Sequence, residues 1–342
     1  MRCTIVPPHI LDHIARDAHD PALRESARRS LVLSSTHRTE RRVRPVTAPT
    51  ATHDNVPHRT INDAGHDESL PGRTVRTEGA APTADAVVNQ AYDWLGVVFS
   101  FYEAAYQRDS IDGAGLGMVS TVHYGDKYDN AFWNGQQMVY GDGDGTLFTE
   151  FTGPLDVTGH ELTHGVTQYT AALEYHGQSG ALNESVSDVF GSLVKQWHLG
   201  QTADQADWLI GQGLLAPHVN GVALRSMKAP GTAYDDPQLG KDPQPADMAH
   251  YDNTSSDEGG VHINSGIPNH AFYLAATAIG GHAWERAGRI WYQTLTGGKL
   301  HPSADFAAFA AATVATAGTL YGSSGTEVNA VRQAWRGVGV HV

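Results

Sequence analysis

The chain has 342 residues, 40% of them hydrophobic, which is enough for two domains or for one domain with an appendage. Mean hydropathy is −0.34, and no apolar run approaches the ~20 residues a membrane-spanning helix needs, so no membrane partner is expected. Net charge is −14, and the single cysteine, Cys3, excludes an intramolecular disulfide.

Charge is unevenly spread. Residues 1–50 hold nine Arg, no Lys and five acidic residues, a balance of +4 against −18 for the remainder. A short basic arm without aromatics, attached to an acidic body, is a poor nucleic-acid ligand, so none is expected. Attraction between arm and body is the simpler reading. Met1 to Ile14 is broken by Pro7, Pro8, His9, Asp12 and His13 and lacks the apolar stretch of a secretory signal. Residues 9–33 are weakly amphipathic through Ile10, Leu11, Ile14, Leu23, Ala27 and Leu31, and Pro21 divides them into two helices. From Ser34 to about Thr60 the polar composition reads as an exposed linker, with Arg41, Arg42 and Arg44 open to proteolysis.

Residues 83–108 show a helical pattern in Ala86, Val87, Ala91, Leu95, Val98 and Tyr102. A Gly-rich stretch to about 150 follows, with β-like runs at Met118–Tyr124 and Gln136–Tyr140 and a turn at Gly141–Gly145. Helical patterns at 154–171 and 178–199 precede a loop-rich region, 216–260, which has five prolines. From Ile263 to Gly337 the chain is mostly helical and rich in Ala. The fold class is therefore α+β: an N-terminal α/β-rich half and a mainly α-helical C-terminal half. The expected division is a basic N-terminal segment over 1–50 with a linker to about 60, then 61–170 and 171–342.

The decisive stretch is His160-Glu161-Leu162-Thr163-His164. On a helix, positions i and i+4 lie about 40° apart around the axis, so both imidazoles face one point. Such a pair can chelate zinc, with the intervening glutamate within reach of a water on the ion. Alone, this pattern also arises by chance on a surface helix. Nineteen residues after His164, Asn183-Glu184-Ser185-Val186-Ser187-Asp188 supplies what is missing. Glu184 fits a third ligand, leaving the fourth position open, and Asp188 fits the carboxylate behind a ligating imidazole. The apolar neighbours Leu182, Val186, Val189, Phe190 and Leu193 mark the helix as buried, where two carboxylates are costly without a cation. Metzincin spacing fails, because the required Gly and His are Thr167 and Thr170, and the GxMEN segment of zinc aminopeptidases is absent.

From about 85 to 337 the chain resembles the thermolysin family. The matching stretches are NAFWNGQQMVYGDGDG (130–145), HELTH (160–164), NESVSD (183–188), LRSM (224–227) and GGVHINSG (259–266). The short start with Pro7-Pro8 resembles the protealysin-like subgroup, whose members carry compact propeptides. The resemblance implies a two-domain metalloendopeptidase with its zinc cleft between the domains. His160, His164 and Glu184 would hold one catalytic zinc, and Glu161 would be the general base. It also implies that Tyr175 and His262 stabilise the oxyanion, with Asp257 orienting His262. Asn130, the backbone of Ala131, and Arg225 would bind a protein or peptide substrate. Phe148, Phe151, Val157, Ile210, Leu214 and Leu224 would line a pocket for a large apolar side chain after the cut. The N-terminal segment would act as an intramolecular inhibitor, removed by cleavage near 41–55. Secretion follows from the resemblance, with a cytoplasmic precursor as the alternative.

One departure concerns calcium. Asp156 and Asp207 match two ligands of the family's double calcium site, but three other carboxylate positions carry Lys195, Leu209 and Gln212. The expectation is that the double site is lost and that Lys195 pairs with Asp156 or Asp207 in its place. A non-catalytic zinc-binding protein is the competing function, against which Glu161, Tyr175 and His262 argue.

Overall fold

In the computed structural model, which describes residues 4–43 and 55–342, proline sets the first two helices apart. Helix α1 (Pro8–Asp17) begins on a proline, whose missing N–H is no loss in a first turn, and buries Ile10, Leu11 and Ile14. Helix α2 (Pro21–Val43) begins on Pro21, and it continues well beyond Ser34, where the exposed linker was expected to start. Residues 35–43 contain neither Gly nor Pro and include good helix formers, Arg and Glu. Backbone propensity favours helix there without an apolar stripe, so polarity alone was misleading. Cys3 and residues 44–54, which include Arg44 and most of the expected 41–55 cleavage window, lie outside the described residues.

A five-stranded sheet follows, in the order β2-β1-β3-β5-β4. Its strands are β1 (Arg59–Asp63), β2 (Arg73–Thr77), β3 (Met118–Val122), β4 (Ala131–Trp133) and β5 (Met138–Tyr140). β1, β3 and β5 are parallel, while β2 and β4 pair antiparallel at the two edges. Helix α3 (Ala86–Tyr106) is capped by Asp85, which accepts hydrogen bonds from the N–H groups of Val87 and Val88. The edge strand β4 is where an extended chain can add by backbone pairing, and Ile5 N–H donates to Ala131 O there at 3.1 Å.

Helices α4 (Leu155–Gln168) and α5 (Gly177–Leu199) form the centre of the molecule, and α4 is buried from Leu155 to Thr167. Glycines let them approach. A Cβ on Gly191 would lie 2.6 Å from Asp156 O, and one on Gly159 would lie 3.0 Å from Gly191 Cα. Because the obstacle is backbone, Gly191→Ala must push the helices apart. It is expected to cost about 1–3 kcal/mol, as overpacking does, and to loosen the metal site. Thermal unfolding and zinc content measured together check this; wild-type values for both would contradict it.

Beyond α5, the short pair β6 (Leu209–Ile210) and β7 (Arg225–Ser226) borders the cleft. The C-terminal half is helical: α6 (Asp257–Asn264), α7 (Gly266–Ile279), α8 (Ala287–Thr296), α9 (Phe306–Tyr321) and α10 (Thr326–Gly337). A sheet-bearing half and a helical half are thus present, as the α+β reading expects.

Candidate metal centre

His160 and His164, one turn apart on α4, face Glu184 on α5. Their Nε2 atoms are 3.0 Å apart, and those nitrogens lie 3.6 and 3.7 Å from the Glu184 carboxylate oxygens. A tetrahedral ion with bonds of about 2.0–2.1 Å spaces its ligands by about 3.3 Å, so the donor set fits zinc. Chemistry points the same way. His160 Nδ1 sits 2.8 Å from Asp188 Oδ1, and His164 Nδ1 sits 2.8 Å from Asn183 Oδ1. If those Nδ1 atoms carry the protons, both Nε2 lone pairs converge beside a carboxylate, an arrangement that calls for a cation.

Asp188 ties the metal side of the cleft to the substrate side. It accepts from Arg225 Nε at 2.8 Å and Nη2 at 2.9 Å, and from Asn269 Nδ2 at 2.8 Å, besides its contact with His160. Burial opposes ionisation of Asp188, but Arg225 and His160 outweigh it and hold the pKa far below the usual carboxylate range. Burial likewise opposes ionisation of Glu184, yet His262, His164 and His160 bring its pKa down to about 2. Asn183, Ser187 and Asn269 were not singled out by sequence reasoning. Ser187 Oγ lies 3.0 Å from His164 Nδ1. Asn183 and Ser187 stand within the NESVSD stretch itself, which was the available signal.

Glu161 is fully buried and accepts Trp133 N–H at 2.9 Å. Tyr175 OH donates to Glu184 Oε1 in a very short hydrogen bond and lies 3.2 Å from His262 Nε2. Asp257 holds His262 twice, Oδ1 at 2.8 Å from Nδ1 and Oδ2 accepting the backbone N–H at 2.9 Å. That fold-back uses left-handed backbone at Glu258, Gly259 and Gly260. Burial disfavours a charged His262, but Asp257 and Glu184 raise its pKa above the ordinary value.

The N-terminal segment lies on the groups expected to grip substrate. Asn130 Oδ1 accepts Val6 N–H at 2.9 Å, and its Nδ2 donates to Val6 O at 3.2 Å. Arg225 Nη1 donates to Ile5 O at 2.9 Å, completing the contacts begun at Ala131 O. Ile5 is 0% exposed and belongs to the same apolar cluster as Phe148, Phe151, Val157, Ile210, Leu214 and Leu224, all buried. His9 Nε2 lies 2.9 Å from Tyr234 OH, and burial drags its imidazole pKa down to about 4.

Lys195 pairs with both carboxylates that the sequence reading set beside it. Its Nζ lies 2.8 Å from Asp156 Oδ2 and 3.0 Å from Asp207 Oδ1, and donates to Leu209 O at 2.9 Å. Burial works against this ammonium, but Asp156 and Asp207 raise its pKa.

Residues 39–168 match the model of the thermolysin metallopeptidase catalytic domain, and 171–340 match that of its alpha-helical domain. An "Extracellular metalloprotease" of Pectobacterium carotovorum subsp. carotovorum is 51% identical, covering 99% of this chain and 97% of its own. "Protease PrtS" of Photorhabdus sp. (strain Az29) is 44% identical over 99% of this chain and 92% of its own. Among solved structures, the precursor of protealysin, a metalloproteinase from Serratia proteamaculans, superposes with a TM-score of 0.91. It shares 52% identity over 99% of both chains. With two imidazoles and a carboxylate converging where those two matched regions meet, the chain belongs to the thermolysin metallopeptidase family and is a metalloendopeptidase.

Proposed function

We propose that this chain is a zinc-dependent endopeptidase, cutting before large apolar residues and made as a precursor inhibited by its own N-terminal segment. The observation that carries the reading is the convergence of His160, His164 and Glu184 beside a cleft in which Ile5 and Val6 take the hydrogen bonds of a bound peptide. Zinc, when bound, polarises the scissile carbonyl and lowers the pKa of the attacking water toward about 7. Glu161, steadied by Trp133 N–H, accepts a proton from that water and returns it to the leaving amine. His262, whose protonated form Asp257 favours, and Tyr175 donate to the carbonyl oxygen as it gains charge. Asn130, Ala131 and Arg225 hold the substrate backbone. A fully buried Ile5 beside Arg225 supports an apolar preference at the residue after the cut.

Hydrolysis of casein or a furylacryloyl dipeptide, measured on trimmed enzyme, should vanish with a zinc chelator and return with added zinc. Persistence of activity in chelator would sink the reading. The relatives named as extracellular support secretion. The division we propose is a segment over 1–50, a linker to about 60, and catalytic halves over 61–170 and 171–342.

Lys195 replaces calcium in this scheme, its ammonium standing between Asp156 and Asp207. Calcium titration should therefore leave the thermal midpoint nearly unchanged. A large gain saturating at low calcium would contradict the substitution.

A further inference from the structure

A second group of metal-ligating side chains stands apart from the catalytic centre. It comprises His66 in the loop after β1, His123 just past β3, and Asp142 in the Gly141–Gly145 turn. One ligand atom from each lies within 4.8 Å of the others. Asp142 Oδ2 is 3.4 Å from His66 Nδ1, close to the ligand spacing of about 3.3 Å that a tetrahedral zinc imposes, and both Asp142 oxygens lie within hydrogen-bond distance of His123 Nδ1, at 2.9 and 3.0 Å.

Two further observations point to a ligand. His123 Nε2 lies 2.9 Å from Asp85 Oδ2, the carboxylate-behind-imidazole arrangement that fixes a ligating ring and its tautomer. Both histidines also adopt left-handed backbone, with φ of 66° and 53°, a costly conformation for a residue with a Cβ. They are locked together by His66 N–H donating to His123 O at 2.8 Å. The His66 side chain is 61% exposed, so burial of that ring does not account for its left-handed backbone. That exposure supplies an entry path and room for water on the open side.

We propose that His66, His123 and Asp142 form a second divalent transition-metal site, suited to zinc, with Asp85 orienting His123 from behind. Two nitrogens and one oxygen suit a borderline ion such as Zn²⁺ rather than calcium, which takes oxygen ligands. The ion would fasten the β1–β2 loop to the Gly141–Gly145 turn and to the cap of α3. Without an ion, a proton on His123 balances the two flanking carboxylates, which raise its pKa to about 9 against the pull of burial.

The test is metal content of the full chain after equilibration with zinc and removal of loose ions. Wild type should retain two equivalents. His66→Asn, chosen because Asn tolerates left-handed backbone, and Asp142→Asn should each retain one, with the peptidase activity of the trimmed His66→Asn form unchanged. One equivalent in wild type, or two in either variant, overturns the second site. Failure of the catalytic zinc reading is distinguishable, because His160→Ala would then keep the wild-type zinc content instead of losing one equivalent, and the trimmed wild type would stay active in chelator.

Discussion

Glu161→Ala is expected to keep one zinc at the catalytic centre while lowering kcat/KM of the trimmed enzyme by about 10²–10⁴-fold, the usual contribution of a positioned proton-transfer group. The separation of binding from turnover follows from the geometry. His160, His164 and Glu184 supply the three converging ligand atoms, and Asp188, Asn183 and Ser187 stand behind the two imidazoles. Removing the buried carboxylate lifts a desolvation burden but leaves Trp133 N–H without its acceptor, so thermal unfolding is measured alongside to show that the variant is folded. His160→Ala is the contrasting control: it should lose zinc and activity together, and it takes from Asp188 its imidazole partner while leaving the Arg225 contact in place. Kinetics on a peptide substrate and metal analysis on the same preparation decide the matter. A zinc-loaded Glu161→Ala enzyme with full activity would take Glu161 out of the mechanism.

The parts of the site that were legible in the sequence are those that local geometry fixes. His160 and His164 share a face because a helix turns 100° per residue, whatever surrounds it. Glu184 and Asp188 stood out because two carboxylates among Leu182, Val186 and Val189 need a reason to be buried. Asn269 carried no such mark. It reaches Asp188 across 81 residues, and only the packing of α7 against α5 brings it there. The glycine crossing was equally silent, since Gly159 and Gly191 inside helices read as weak helix formers until the neighbouring backbone is known.

In the fold, strong periodicity gave α3, α4 and α5, but β1 and β2 escaped. Their sequences, RTIND and RTVRT, are short and mostly polar because one face meets solvent, so alternation has too few residues to register. The end of α2 failed for the opposite reason: helix persisted where no apolar signal demanded it.

The full chain, still carrying residues 1–50, is expected to hydrolyse peptides at least about 100-fold more slowly than its trimmed form, equivalent to about 2.7 kcal/mol of preference for the occupied cleft. The segment enters the cleft by backbone pairing rather than by bulk. Ile5 N–H on Ala131, Val6 on both polar atoms of Asn130, and Ile5 O on Arg225 occupy the contacts proposed above for a substrate. Behind it, α1 buries Ile10, Leu11 and Ile14, and α2 grips the 126–130 stretch. Ser26 donates to Lys127 O, Ser30 accepts Asp129 N–H, Ser34 meets Tyr128 OH, and Arg29 pairs loosely with Asp126. Because the segment is tethered, its effective concentration stays high even if each contact is weak, and dilution cannot release it. Cutting the tether converts a unimolecular block into a bimolecular one. Ile5→Asp tests the same point without any cut. A carboxylate forced into that fully buried apolar position should destabilise the segment and raise the activity of the uncut chain toward that of the trimmed enzyme. Mass spectrometry at the end of the assay must confirm that the N-terminus is still attached. Equal rates for intact wild-type and trimmed enzyme would show that these contacts do not close the cleft.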